Sequence, residues 1–170
     1  MNDALEDFRM AIETGAERLS SLSEAQSEER GAPDKWSPKE IVGHLIDSAA
    51  NNHQRFVRAQ FQDHLVFPGY AQEEWVAAQH YQQASWPLLV GLWKMYNLHL
   101  LHTVSHIPSH QLTKLHREHS LDKIAWKVLS ASEPATLEYL IRDYIGHMKH
   151  HLRQIFTERD APATSIESMD

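Results

Sequence analysis

A chain of 170 residues, 42% hydrophobic and 23% charged, has room for one domain with a substantial core. A formal net charge of -7 leaves no broad electrostatic footprint for nucleic acid, and the absence of cysteine excludes disulfides, thiolate metal sites and a cysteine nucleophile. No apolar run approaches the roughly 20 residues of a membrane span, and the N-terminus is acidic and amphipathic, so the expected setting is cytoplasmic.

From about Asp3 to Ala25, Leu5, Phe8, Ile12, Leu19 and Leu22 recur at three- and four-residue steps, which predicts a first amphipathic helix. Gly31-Ala32-Pro33-Asp34 interrupts it. Ser37-Pro38-Lys39-Glu40 then combines an N-cap serine, a proline at the first helical position and a glutamate three after the cap, and so starts a second helix. This helix runs to about Gln60 and buries Ile41, Val42, Leu45, Ile46, Ala49, Phe56 and Val57. At 100° per residue His44 falls on the shoulder of that stripe, beside Ser48, Asn51 and Arg55. Residues 61–85 are less regular, with a Pro68-Gly69 turn and a short helix over Tyr70 to Trp75.

Ser85 is placed to cap a third long helix, Trp86 to Ile107, with Leu88, Leu92, Tyr96, Leu100 and Val104 inward and Pro108 as its stop. The segment 109–135 is partly apolar without sustained periodicity and reads as a long connection. Thr136 can cap the last helix, which runs to Arg159 with Leu137, Ile141, Tyr144, Met148, Leu152 and Ile155 on its apolar face. The small polar tail, residues 161–170, is expected to be disordered. Four long amphipathic segments predict an all-α fold, a four-helix bundle over residues 1–160, with connections long enough for crossovers.

Thirteen histidines stand out, and i,i+4 pairs occur at His102 with His106, His106 with His110, and His147 with His151. Imidazoles four apart on a helix aim at one point, but two donors do not make a metal site. His147 and His151 sit on the shoulder of the last helix as His44 does on the second, where a groove between helices commonly holds a metal, so His44 is the third donor. His150 turns away from the stripe and is expected to face solvent. His99, His102 and His106 line one face of the third helix, but no other helix offers an evident partner, so a polar face is the preferred reading over a second metal site. Asp47 and Asp143 lie one turn from proposed ligands, where a carboxylate can orient an imidazole and an exposed charge is equally common. Trp75, Trp93 and Tyr96 read as core rather than as a pocket wall. Trp86, Trp93 and Tyr96 on the third helix give the expectation of an apolar patch and a homodimer.

Trp36-Ser37-Pro38-Lys39-Glu40-Ile41-Val42-Gly43-His44-Leu45-Ile46-Asp47-Ser48, then Phe67-Pro68-Gly69-Tyr70 ahead of Glu73-Glu74-Trp75, and Tyr144-Ile145-Gly146-His147-Met148-Lys149-His150-His151-Leu152-Arg153-Gln154-Ile155 resemble the DinB/YfiT-like superfamily. The resemblance implies a four-helix bundle of unusual crossover order in which His44, His147 and His151 bind a divalent metal. It also implies either a metal-dependent transferase using a low-molecular-weight thiol such as bacillithiol or mycothiol, or metal-assisted hydrolysis. Zinc or nickel are the first expectations and iron or manganese the next, since all accept imidazole. A divalent ion held by three neutral imidazoles keeps its full charge and an open position, which favours deprotonation of water or a small thiol near neutral pH. The expected partner is a small-molecule substrate. A non-catalytic metal-binding or stress-linked interaction bundle is the competing expectation.

Overall fold

The computed structural model describes residues 1–160, with side chains as far as Phe156, and the expectation for residues 161–170 lies outside it. Among the described residues the regular structure is helical apart from two isolated bridges, Leu65 with His119 and His116 with Ala135. Four long helices, α1 (Asn2–Ser20), α3 (Pro38–Arg58), α5 (Trp86–Ser105) and α8 (Leu137–Asp160), form a four-helix bundle. Four short helices decorate it: α2 (Glu24–Glu28), α4 (Gln72–Ala78), α6 (Ser109–Thr113) and α7 (Leu121–Ile124). No described helix is long and apolar enough to cross a membrane.

The order of packing is not sequential. α1 packs on α5 and α8, and α3 packs on the same two, so consecutive long helices α1 and α3 occupy a diagonal. Directions follow from residue contacts. A Cβ built at Gly15 would meet Trp93, and Trp86 donates its indole N–H to the Leu19 carbonyl, so α1 and α5 are antiparallel. Arg142 pairs with Asp3 and Lys149 with Asp7, so α1 and α8 are parallel. His53 meets His99 edge to face, which together with Tyr81 against Gly43 makes α3 and α5 parallel. Parallel neighbours joined in sequence need a connection that returns along the bundle, and residues 59–85 are that return.

Both capping predictions for α3 and α8 agree with the structure. Ser37 and Glu40 form a reciprocal capping box, and the Tyr139 N–H donates to the Thr136 hydroxyl at 3.1 Å. The first helix ends earlier than its apolar periodicity implies, because Ser23 and Gln26 close a capping box of their own and restart the chain as α2. Ser85 does not cap α5; the Trp86 N–H donates instead to the Glu24 carboxylate, at 3.1 and 3.2 Å to its two oxygens. Lys39, 2% exposed, pairs with Glu24 and Glu28 and ties α2 to α3.

The phase of α5 also differs from the sequence reading. Leu89, Val90, Trp93, Leu100, Leu101 and Val104 are buried, while Leu88 and Leu92 are exposed and Tyr96 is half-buried. α5 is apolar on nearly every face, so spacing alone does not say which face turns inward. Trp86 and Trp93 are therefore core and supply no surface patch; Leu88, Leu92 and Met95 do.

The long connection 109–135 is built against the return segment. Leu65 donates to the Glu118 carbonyl at 3.0 Å and accepts from Ser120 at 3.1 Å, while His116 and Ala135 exchange backbone bonds of 2.8 and 2.9 Å. The Ser120 hydroxyl accepts from the Phe67 N–H. Such pairing satisfies the backbone of a segment without periodicity and closes one end of the groove between α3 and α8.

Candidate metal centre

His44 enters the groove from α3 one turn past the capping box, and His147 and His151 enter from α8. The three ring nitrogens meet: His44 Nε2 lies 3.3 Å from His147 Nε2, and His147 Nε2 lies 3.0 Å from His151 Nε2. One donor atom from each residue falls within 4.8 Å of the others, and this is the one such cluster of three among the described residues. Two imidazoles bound to one ion at about 2.1 Å stand roughly 3.0 to 3.4 Å apart, so the donor set fits a divalent cation. The shoulder position inferred for His44 is in fact fully buried, because α8 and the Trp36 ring, 5.1 Å away, cover it.

Hydrogen bonding favours the same arrangement. His151 Nδ1–H donates to Gln154 Oε1 at 2.7 Å, which leaves its Nε2 as the lone-pair nitrogen facing the other two rings. The Gln154 amide nitrogen donates in turn to His150 Nε2 at 3.2 Å. That contact occupies the nitrogen with which His150 could compete as a ligand. His150 is not solvent-facing as its helical angle implies; it is half-buried in the cleft, its ring 5.3 Å from Trp126. Gln154 lies within the stretch that carries the family resemblance but is not singled out there; its i+3 spacing from His151 is the signal that could have found it. Replacing Gln154 with Ala is expected to weaken metal binding by about 10- to 100-fold, the usual cost of losing a partner that orients a ligand. Metal titration of the variant checks this, and unchanged affinity contradicts it.

Burial sets the electrostatics. Desolvation first, then the neighbouring imidazoles, pushes His44 and His147 down to about 3, and desolvation lowers His151 as well. All three are neutral donors at physiological pH. In the unfolded chain they titrate near 6.5, so below that pH the unfolded state binds more protons and the metal-free fold loses stability. Each imidazole contributes up to about 1.4 kcal/mol per pH unit in that window. Asp47 and Asp143, both pushed above the usual carboxylate range by burial, act in the opposite sense at lower pH. Urea unfolding of metal-free protein is expected to show a clear loss between pH 7 and pH 5, smaller in His44→Ala; equal loss in both contradicts the assignment.

Neither carboxylate orients a ligand. Asp47 accepts from the Tyr81 hydroxyl and the Gln79 amide, each at 2.7 Å. Asp143 accepts the backbone N–H groups of Trp126 and Lys127 at 2.9 and 2.7 Å. It thus holds the end of the 109–135 connection over the groove, and Trp126 lies across Gly146, where an added Cβ would stand 3.1 Å from the indole. Of the aromatics read as core, Trp93 is; Trp75 is 40% exposed and stacks on Tyr70, a cleft residue. On α5, His99 does have a partner from another helix, since the His53 ring meets it edge to face at 4.9 Å. The His102 and His106 rings pack on each other, and among the described residues the α5 histidines gather no cluster of three metal donors.

A cleft of about 330 Å³ runs along the groove from His147 and His151 to Arg55 and Asp143. A second cavity, about 260 Å³, reaches His151 from the side of Trp36 and Glu73. A crossed four-helix bundle brings three imidazoles together in an accessible groove, a donor set that could hold a divalent ion. The chain belongs to the DinB superfamily, whose family model matches residues 7–155. Among solved structures it resembles YfiT from Bacillus subtilis, with a TM-score of 0.74 and 15% identity, covering 92% of this chain and 84% of that one. YfiT is described as a probable metal-dependent hydrolase with an unusual four-helix bundle topology. No curated protein matches the sequence.

Proposed function

We propose that this protein is a divalent-metal-dependent enzyme acting on a small molecule, with His44, His147 and His151 as the metal ligands. The observation that carries the reading is the convergence of three imidazoles, His44 fully buried and His147 and His151 half-buried, with Nε2 atoms at 3.0 and 3.3 Å separations beside an open cleft. A divalent ion there supplies Lewis acidity, polarising a substrate and favouring deprotonation of water or a thiol beside it. Gln154 holds His151 in one tautomer, desolvation keeps all three imidazoles uncharged, and Trp126 and Tyr70 wall the cleft. Zinc or nickel are the metals we expect first, with iron or manganese next.

Transfer of a low-molecular-weight thiol to an electrophilic small molecule is the first reading of the reaction. It is favoured by the two cavities that meet at His151, since two reactants need two approaches and water does not need a cavity of about 260 Å³. Metal-assisted hydrolysis is the second reading, favoured by the likeness to YfiT. The test is metal analysis of protein purified without a histidine tag, followed by conjugation assays with several thiols and an electrophile, and ester hydrolysis in parallel. Thiol consumption that needs the metal and fails in His44→Ala is the expected result. Absence of metal, with no change on loading, selects a non-catalytic or interaction bundle.

We also propose a cytoplasmic homodimer, now through Leu88, Leu92 and Met95, which are exposed one turn apart along α5. Light scattering is expected to give twice the 19.6 kDa chain mass; the monomer mass at micromolar concentration rejects it.

A further inference from the structure

Arg55 is a buried cation with no contacting counter-ion among the described residues. Its side chain is 6% exposed and lines the same cleft as the histidine triad. Its recorded acceptors are neutral: Nη2 donates to the Pro68 carbonyl at 3.1 Å and Nη1 reaches Asn52 Oδ1 at 3.4 Å. A guanidinium has five N–H donors, so three remain. Among the described residues Arg55 makes no ion pair; Asp143 and Tyr70 act on it only through space, and the Asp143 carboxylate is already engaged by two backbone N–H groups. Lys123 adds a second positive charge at the cleft lining of a chain whose net charge is -7. Buried charges are ordinarily paired, and an arginine fork matches a carboxylate or phosphate.

The position of Arg55 gives the cleft a length. His44 and Arg55 are three helical turns apart, roughly 16 Å along the axis of α3. The contact with Asn52 shows that Arg55 leans back toward the triad, which leaves a span on the order of 10 Å. Between the two ends the lining is mixed, with Ser48, Asn52 and Tyr144 beside Ile124, Leu140 and Trp126.

We propose that the cleft seats an elongated small molecule whose oxyanion head group, a carboxylate or phosphate, is held by Arg55, with its reacting end at the triad. The head-group seat stands on Arg55 alone, while the reacting end rests on the metal reading above. Octanoate, octyl phosphate and neutral octanamide distinguish them by calorimetry on metal-free protein. At least one anion is expected to bind about tenfold or more tightly than the amide, and the better anion names the head group. Arg55→Gln is expected to erase the preference and Arg55→Lys to keep part of it. Equal binding of anions and amide by the wild-type protein overturns the proposal without recourse to a variant, as does a preference that survives Arg55→Gln. Metal-loaded protein is then given suberic acid monohydroxamate, which carries a chelating group at the far end. A gain over octanoate supports the two-ended seat. No gain, with the anion preference intact, refutes the metal end and leaves the Arg55 seat standing.

Discussion

Replacing His44 with alanine is expected to lower affinity for a divalent ion by at least about a hundredfold, because a lost ligand costs more than the 10- to 100-fold of a lost orienting partner. His44 is the one donor from α3, so its removal leaves two imidazoles on a single helix and opens the site on one side. The fold should survive. The side chain is fully buried, but its Nδ1 has no hydrogen-bond partner, so alanine removes an unsatisfied polar atom along with the packing. Thermal unfolding separates the two effects. At a metal concentration of about 100 times the wild-type dissociation constant the wild type gains about 2.7 kcal/mol, roughly 5 to 10 °C for a chain of this length, and the variant at most about 0.4 kcal/mol. His102→Ala and His106→Ala should keep the full metal-induced shift, since those rings reach no third donor. A shift lost in that pair and kept in His44→Ala would put the metal on α5.

Gly43→Ala should be the most damaging single methyl in the described structure. A Cβ there would lie 2.2 to 2.6 Å from three atoms of the Tyr81 ring, including Cγ, which cannot swing away as the end of a flexible chain can. Alanine gains up to about 1 kcal/mol of helix propensity over glycine, but overpacking of this kind costs about 3 kcal/mol or more. The net loss also reaches the site. A displaced Tyr81 gives up its 2.7 Å bond to Asp47, and position 43 adjoins His44. A fall in the unfolding midpoint of roughly 5 to 10 °C is expected. Gly91→Ala is the control, because nothing lies within 4 Å of a Cβ at that exposed position on α5, and it should stabilise slightly. A neutral Gly43→Ala would mean that Tyr81 does not pack flat on α3.

The helices and the triad were legible in sequence for local reasons. Ser37 with Glu40 and Thr136 cap through neighbours three residues away, and helical spacing alone puts His147 and His151 on one face. What lay beyond reach depended on contacts distant in sequence. Glu24 replaces Ser85 as the acceptor at the start of α5 from 62 residues away, and Trp126 is held over the groove by Asp143 from 17. The phase of α5 was hidden because its faces are similarly apolar, and His99 lacked a visible partner because His53 belongs to another helix. Arg55 was placed correctly on the shoulder of α3, but its burial without an anion depends on the return segment at Pro68.

The most direct test of the metal centre is an anomalous-difference map from crystals of metal-loaded protein, recorded above and below the absorption edge of the ion. One strong peak is predicted at the point shared by the Nε2 atoms of His44, His147 and His151, within about 2.0 to 2.2 Å of each. A peak at His53 and His99, one at His102 and His106, or none at the triad with the ion at saturating concentration would contradict the account.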